Sequence, residues 1–349
     1  MKKSIENKQH SKTDSGSYYE YSKELRDILV DALTQDRSQK EHINKYVKEQ
    51  LINTTIAFPP EKMLPILESF TNNSYGILEI WLEKKFFNDF VEKYKTNVIN
   101  NKQFCEAFEI KKSIEQWART GVSHRKWWIY DFFTERYEFL YCGDDSEIIE
   151  YMHQNSSDEI KSFLYDCKKI YIHCMLTYRA FLEWYKILIN HVFTKKKVEK
   201  DKYLAFIEDL LSDTSKWRLS IRDYRVPNWD NVIAEGHIDS TFFNMVLYED
   251  TQGLQTKPIE TIKKKWDIED PNGYQYVTIP DKSGIFLCGR PVNKHPTFGL
   301  CPTPHRVENK KDSRMSIWFS IVESSHFKEF IEKLYKEIYT NNDTFSHSE

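Results

Sequence analysis

The chain has 349 residues, with 50 lysines and arginines against 53 aspartates and glutamates, and a formal net charge of −3. This near balance gives no electrostatic drive toward nucleic acid or an anionic membrane surface, and the apolar runs are too short to span a bilayer. Aromatic residues make up 15% of the chain, a density that suits either a large core or the lining of an apolar pocket.

Residues 1–17 are polar and rich in serine, which predicts a disordered N-terminus. No apolar segment follows the basic start, so we expect no secretory signal and a cytoplasmic protein. The six cysteines form no CxxC pair. In that compartment we expect reduced thiols rather than disulfides or a thiolate zinc site.

Residues 18–216 are predicted to form a mainly helical region that packs on a core domain. Between 18 and 51, apolar residues recur at spacings of three and four, as in an amphipathic helix. The segment 74–94 (SYGILEIWLEKKFFNDFVEKY) predicts a short strand or core segment followed by a helix. Residues 157–211 are again strongly helical in pattern.

After residue 216 the chain changes to short β-like runs separated by turn residues. The runs are WRLSIRDY, TFFNMVLYED, YQYVTIP, SGIFLCG and RMSIWFSIV. Short strands between turn signals predict an all-β barrel or sandwich. We therefore expect a β core at 217–323, followed by an amphipathic helix and tail at 324–349.

One histidine begins an H-x-D triplet, His237-Ile238-Asp239. On a strand, residues two apart point to the same face, so the imidazole and the carboxylate would project together. A second histidine from another strand would complete a 2-His-1-carboxylate facial triad, the geometry that suits non-haem Fe(II). We predict His305 as this ligand; His295, which precedes a proline, is the alternative.

The segment after His305 predicts two strands joined by the turn ENKKDS. If the turn centres near residues 309–310, Arg314 falls opposite His305, about 5 Å away at Cβ. Arg314 and Ser316 share one face of the second strand. A guanidinium would then stand behind the metal, placed to bind a carboxylate.

Five short motifs resemble, in order and spacing, those of Fe(II)/2-oxoglutarate-dependent dioxygenases, most closely the isopenicillin N synthase-like branch. They are LSIRDYRVP, GHIDSTFFNMVLYEDTQGLQ, YVTIPDKSGIFLCG, TPHRV and SRMSIWF. The resemblance implies an α+β fold: a double-stranded β-helix (jelly-roll or cupin-like) core, with an extensive helical N-terminal half and a C-terminal helix. The parts would form one integrated catalytic domain.

The resemblance also implies the site. Iron would be held by His237, Asp239 and His305, and the distal carboxylate of 2-oxoglutarate by Arg314 and Ser316, assisted by Tyr224. With O2, such a site oxidises C–H bonds through a ferryl intermediate and releases succinate and CO2. The outcome would be hydroxylation, desaturation or oxidative cyclisation of a small molecule, for which we expect a specialised metabolite or an amino-acid derivative.

Four residues are candidate substrate contacts: Arg290, Arg222, Phe243 and Trp318. Arg290 stands where the family usually has the aspartate of a Gly-Asp pair, and it is either a carboxylate anchor or a surface charge. We expect neither nucleic acid nor a membrane as a partner, and a monomer or weak dimer.

Three other functions stay open from the sequence. A non-haem iron oxidase of the same branch needs no 2-oxoglutarate, and its R-x-S residues can bind a substrate carboxylate. The pattern RTGVSH at 119–124 matches the R-x4-H of HEPN ribonucleases, but one arginine and one histidine at a fixed gap carry little information. A non-catalytic binding protein is the third.

Overall fold

Twelve strands make up the β structure in the part of the chain that the structure describes. This computed structural model describes residues 66, 69–70, 73–98, 122–125, 128–131, 136–142, 157–192, 201, 204–205, 207–208, 210–211, 217–224, 232–264, 266–290, 300–308 and 313–321. The strands are β1 (Gly76–Glu79), β2 (Val122–Arg125), β3 (Trp128–Asp131), β4 (Arg136–Cys142), β5 (Trp217–Tyr224), β6 (Val232–His237), β7 (Phe243–Glu249), β8 (Leu254–Thr256), β9 (Gln275–Tyr276), β10 (Ser283–Cys288), β11 (His305–Glu308) and β12 (Arg314–Ile321).

These strands form two antiparallel sheets with a nested pairing. The larger sheet has the order β1-β10-β7-β12-β5-β4-β3-β2, and the smaller has the order β6-β11-β8-β9. Within them β5 pairs with β12, β6 with β11, β7 with β10, and β8 with β9, so each pair lies inside the previous one in sequence. From β5 to β12 the chain passes back and forth between the two sheets, except that β8 and β9 both belong to the smaller one. This is the double-stranded β-helix, so the predicted jelly-roll core is confirmed.

Two apolar layers hold the sheets in place. An inner core joins the sheets and consists of Val246, Leu254, Val277, Ile285, Leu287 and Trp318. Successive side chains of each strand point to opposite faces of the larger sheet. Those on the face away from the smaller sheet form an outer core. His305 lies on the inner side, with its ring centroid 6.1 Å from that of Trp318.

Helices cover the outer face of the larger sheet. They are α1 (Lys84–Lys93) and α2 (Asp158–Val192), and a short α3 (Trp266–Glu269) lies beside β6. The Tyr178 ring of α2 packs on Phe286 and Phe319, with ring centroids 5.5 Å apart in both cases. Each such aromatic pair contributes about 0.5–1.5 kcal/mol beyond its buried area. Much of the aromatic content is therefore core rather than pocket lining.

The expectation of an extensive helical N-terminal half is not supported. Four strands from before residue 217, β1 to β4, extend the larger sheet at both of its edges. Apolar and polar residues do not alternate regularly around 122–142, so the sequence does not mark these strands. Their formation depends on pairing with neighbouring strands, since β4 pairs with β5 along its whole length. The predicted strand and helix at 74–94 and the helix beginning near 157 are confirmed as β1, α1 and α2.

Some predictions concern residues outside the described part of the chain. These are the disordered segment 1–17, the helix at 18–51, His295 and the closing helix and tail at 324–349. Arg119 of the R-x4-H pattern also lies there, so that pattern stays a sequence observation. Among the described residues, no helix combines the length and the apolar content needed to cross a membrane.

The predicted hairpin between His305 and Arg314 is wrong. β11 pairs with β6 and β8 in the smaller sheet, whereas β12 pairs with β5 and β7 in the larger one. The connection between β11 and β12 therefore crosses from one sheet to the other. Arg314 lies opposite Tyr224 of β5, not opposite His305.

Candidate metal centre

Three predicted ligands meet at one end of the smaller sheet. His237 is the last residue of β6 and His305 the first of β11, and the antiparallel register places them directly opposite each other. Asp239 follows β6 by two residues. One potential ligand atom from each residue lies within 4.8 Å of the others. The structure thus brings the two histidines and the carboxylate together.

The distances suit a single metal ion. The Nε2 atom of His237 lies 3.4 Å from Oδ1 of Asp239, and the Nε2 atom of His305 lies 3.4 Å from Oδ2. The two imidazole centroids are 4.4 Å apart. Ligand atoms on neighbouring corners of an octahedron with bonds of ~2.1 Å are separated by ~3 Å, so only a small contraction is needed.

Backbone carbonyls orient both imidazoles. The Nδ1 atom of His237 lies 2.7 Å from the carbonyl oxygen of Glu235, and that of His305 lies 3.0 Å from the carbonyl oxygen of Thr303. A neutral ring must donate its Nδ1 proton to such an oxygen. Its Nε2 lone pair is then free to bind a metal. Both Nε2 atoms face Asp239, so the tautomers required for a metal site are selected by the fold.

The electrostatics of the site favour the protonation states that a metal requires. Burial lowers the pKa of His305 to about 4, although the Asp239 charge opposes this shift. Burial alone would raise the pKa of Asp239, but the charge of His305 and the hydrogen bond and charge of His237 outweigh it and lower that pKa. Asp239 is therefore ionised and His305 neutral near pH 7.

His237 behaves differently, because it is more exposed. Burial by itself would lower its pKa, but the hydrogen bond and charge of Asp239 more than offset this and raise it. Its side chain is 37% exposed, against 2% for His305. His237 is thus the residue on the open side of the site, and its raised pKa makes it the more readily protonated of the two imidazoles.

We expect metal affinity to fall as the pH is lowered through the raised pKa of His237. A proton on Nε2 blocks coordination, so below that pKa the logarithm of the association constant should fall by about one per pH unit, and above it the curve should flatten. His305 adds a second proton only near its pKa of about 4. Anaerobic calorimetry with Co(II) between pH 5 and pH 8 measures this, and a flat profile would contradict it.

Asp239 is held in place by its own loop and by β7. Asn244 of β7 donates a side-chain N–H to Oδ2 of Asp239, and the backbone N–H of Arg290 donates to the Asp239 carbonyl at 2.8 Å. The segment at Gly289 lies very close to the loop that carries Asp239. Glycine is needed there, because a Cβ would lie 1.7 Å from the carbonyl oxygen of Thr241 and 2.8 Å from that of Asp239. Asn244 therefore holds the carboxylate, and Arg290 holds the backbone of the same residue.

Replacing Asn244 with alanine should weaken metal binding by about 10–100-fold, the usual cost of losing a partner that orients a ligand. Asn244→Asp is the matched variant, because it keeps the size, removes the donor and adds a like charge beside Asp239. It should weaken binding further. Titration with Co(II) gives both values, and unchanged affinity in both variants would show that Asn244 does not support the carboxylate.

Arg314, the first residue of β12, provides a buried positive charge. Its side chain is fully buried, and its guanidinium lies 5.7 Å from the centre of the Tyr224 ring. One of its nitrogens, Nη2, donates to Oε1 of Glu249. Its other two nitrogens, Nε and Nη1, have no hydrogen-bond partner. Ser316 is also buried and accepts a hydrogen bond from the Trp318 indole at 2.9 Å.

The four candidate substrate contacts fall in different places. Arg222 lies with its guanidinium 4.5 Å from the Trp318 ring, and its charge acts on all three metal ligands. Trp318 also faces inward, with its ring 6.1 Å from that of His305. Arg290 is exposed and donates Nε–H to the Ile238 carbonyl at 3.0 Å. The structure does not bring Phe243 to the metal ligands.

Phe243 belongs to the outer core instead. Its ring centroid lies 5.1 Å from that of Phe286 and 6.4 Å from that of Tyr178, on the face that α2 covers. Its neighbour Asn244 is the β7 residue that points to Asp239. The polar residue in the middle of the apolar run FFNMVLY was the available signal for Asn244, and sequence reasoning missed it.

No protein-family model matches the chain, and no curated protein matches its sequence. Among solved structures, a proposed oxygenase from Shewanella oneidensis is 14% identical, with a TM-score of 0.49 over 74% of this chain and 84% of that one. A dioxygenase for auxin oxidation from Arabidopsis thaliana, solved with 2-oxoglutarate, is 11% identical, with a TM-score of 0.47 over 74% and 86%. A Neurospora crassa protein, solved with α-ketoglutarate and 5-formyluracil, is 16% identical, with a TM-score of 0.47 over 74% and 77%.

Proposed function

We propose that this protein is a non-haem Fe(II)- and 2-oxoglutarate-dependent oxygenase that oxidises a C–H bond of a small molecule. The observation that carries the proposal is the arrangement of His237, Asp239 and His305, with both Nε2 atoms 3.4 Å from the carboxylate oxygens. Two imidazoles and one carboxylate on one side of a metal are the donor set of non-haem Fe(II) oxygenases, and they leave positions open for other ligands.

The residues present also suit 2-oxoglutarate. Arg314 is fully buried and retains two donors, Nε and Nη1, without partners. Buried unpaired donors of a charged group are costly, so a ligand carboxylate that reaches them is favoured. Ser316 and Tyr224 lie on the same inner face and border that place. Arg314, Ser316 and Tyr224 would hold the distal carboxylate.

When bound, iron supplies O2 activation at this site, with 2-oxoglutarate as the reductant that leaves as succinate and CO2. The chain's own residues enclose the reaction. Trp318 packs beside His305 and walls off one side. The exposed side of His237 leaves an entrance on the other. Enclosure of this kind protects a protein from its own oxidant.

The substrate would be a small molecule with an anionic group, such as an amino-acid derivative or an acidic specialised metabolite. Arg222 and Arg290 support this, because the first lies over Trp318 inside the β-helix and the second lies at the loop that carries Asp239. Guanidinium groups bind carboxylates in bidentate fashion. Hydroxylation, desaturation and oxidative cyclisation are all compatible with this site.

A 2-oxoglutarate-independent iron oxidase is the second candidate, and one observation favours it. Glu249 already neutralises Arg314, so the charge that would attract a distal carboxylate is balanced within the protein. In that case the metal site would act on a substrate that provides all the electrons itself.

Three further expectations stay predictions: the isopenicillin N synthase-like branch, the cytoplasmic location and the oligomeric state.

Succinate release distinguishes the two candidates. The full chain, loaded with Fe(II) under anaerobic conditions, is mixed with 2-oxoglutarate and exposed to O2, with and without small carboxylic acids. We expect succinate to form and its rate to rise with a true substrate. Asp250→Asn, which changes a carboxylate outside the site, is the control. O2 consumption with product but without succinate would favour the oxidase instead.

A further inference from the structure

Glu249 occupies an unexpected place for a carboxylate. It is the last residue of β7, its side chain is 4% exposed, and it forms an ion pair with the buried Arg314. The site proposed above needs Arg314 to receive the distal carboxylate of 2-oxoglutarate. The structure therefore places a carboxylate of the protein on the guanidinium that should bind a carboxylate of the ligand.

Glu249 is fixed there by the turn that follows β7. Its Oε1 accepts the backbone N–H of Leu254 at 3.0 Å, and its Oε2 accepts that of Gly253 at 3.5 Å. Releasing Glu249 from Arg314 would leave a buried carboxylate to be solvated only by these two donors. We expect it to stay in place when a ligand arrives, because an uncompensated buried charge is costly.

The space left around Arg314 is limited. A Cβ on Gly253 would lie 2.8 Å from Nε of Arg314, so the backbone of the turn covers that nitrogen closely. Nη2 is used by Glu249. Nη1 is buried and has no hydrogen-bond partner, so it is the nitrogen left for an incoming group. A ligand carboxylate must then share one guanidinium with Glu249, which brings two negative charges to one positive charge inside the protein.

We propose that Glu249 sets the co-substrate selectivity of this site: it weakens the binding of 2-oxo acids that carry a distal carboxylate and leaves those with a neutral distal end unaffected. This inference rests on the proposed function. It makes Glu249 a residue that determines specificity rather than a catalytic residue. The expected consequence is an unusually weak preference for 2-oxoglutarate over 2-oxopentanoate, the 2-oxo acid of the same length whose distal end is a neutral methyl group.

The test compares two ligands in two proteins. The full chain, loaded with Mn(II) in place of Fe(II), is titrated calorimetrically with 2-oxoglutarate and with 2-oxopentanoate. The same titrations follow for Glu249→Gln, which keeps the size and an acceptor for Leu254. We expect the variant to bind 2-oxoglutarate about tenfold or more tightly, since like charges a few ångströms apart repel strongly in a buried site. Affinity for 2-oxopentanoate should not change.

Controls separate this effect from a general change in charge or fold. Asp250→Asn removes the neighbouring carboxylate, which accepts the backbone N–H of Met315 at 2.8 Å and does not pair with Arg314. It should leave both affinities unchanged. If Glu249→Gln fails to fold, the wild-type protein alone decides: its affinities for the two ligands should agree within about threefold, and a hundredfold preference for 2-oxoglutarate would overturn the inference.

The failure of this inference differs from the failure of the proposed function. Equal binding of 2-oxoglutarate by the wild-type protein and Glu249→Gln overturns the role of Glu249 and leaves the oxygenase standing. If neither protein binds 2-oxoglutarate although Mn(II) is bound, the co-substrate assignment fails, and the inference fails with it. Tighter binding of 2-oxoglutarate alone in the variant supports both.

Discussion

Replacing Asp239 with alanine is expected to abolish stoichiometric binding of Fe(II). Asp239 is the carboxylate among the three clustered ligands, and both imidazole Nε2 atoms face it at 3.4 Å. Without it, two neutral imidazoles remain, beside the amide of Asn244 and the positive charge of Arg222. The loss should exceed the roughly 10–100-fold that removal of an orienting partner costs.

Anaerobic calorimetry or the visible spectrum of the Co(II)-loaded protein measures this loss. His305→Ala should give the same result, because His305 is buried and opposite His237 in the register. Asp267→Asn is the matched control: Asp267 accepts the backbone N–H groups of Lys263 and Lys264 and lies outside the site. Normal metal binding by Asp239→Ala with an intact fold would refute the metal centre and with it the oxygenase.

Two of the three proposed metal ligands could be predicted from the sequence because their signal is local, whereas His305 lies far along the chain and was indicated by the motif TPHRV. His237 and Asp239 are two residues apart, and a strand end is enough to bring them together. The short strands around them were visible as well, since β5 coincides with the run WRLSIRDY and β12 begins at Arg314 as expected. The inner side of β12 includes Trp318, which belongs to the inner core.

The relation between β11 and β12 could not be predicted in the same way. A short polar turn between two strands usually indicates a hairpin. Here the two strands belong to different sheets, because β12 is held by β5 and β7 on either side. Pairing partners that lie far apart in sequence decide this, and a single sequence does not display them. The same holds for β2 to β4, which extend the larger sheet through β5.

Glu249 was missed for a related reason. It lies at the end of an apolar strand, where a charged residue normally marks the beginning of an exposed turn. A register shift between Ile317 and Trp318 of β12 changes how β7 and β12 align. Ser316 then lies opposite Glu249, and the carboxylate reaches the guanidinium of Arg314. An irregularity of this kind is a tertiary feature, so the ion pair is visible only in the structure.

This ion pair makes the stability of the protein and its co-substrate binding depend on the same residue. Replacing Arg314 with methionine is expected to lower the free energy of unfolding by about 3–5 kcal/mol, the usual cost of leaving one partner of a buried pair uncompensated. Both side chains are buried, at 0% and 4% exposure, so solvent offers Glu249 little compensation. Affinity for 2-oxoglutarate should also be lost, because Arg314 is the charge proposed to bind its distal carboxylate.

A double variant separates the two effects. Arg314→Met with Glu249→Gln removes both charges, and we expect most of the lost stability to return, because no buried charge is left unpaired. Binding of 2-oxoglutarate should not return. Urea unfolding of the metal-free protein gives the stabilities, and calorimetry with Mn(II) gives the affinities. If the double variant is no more stable than Arg314→Met, the destabilisation comes from lost packing around Arg314. If it binds 2-oxoglutarate normally, the distal carboxylate lies elsewhere.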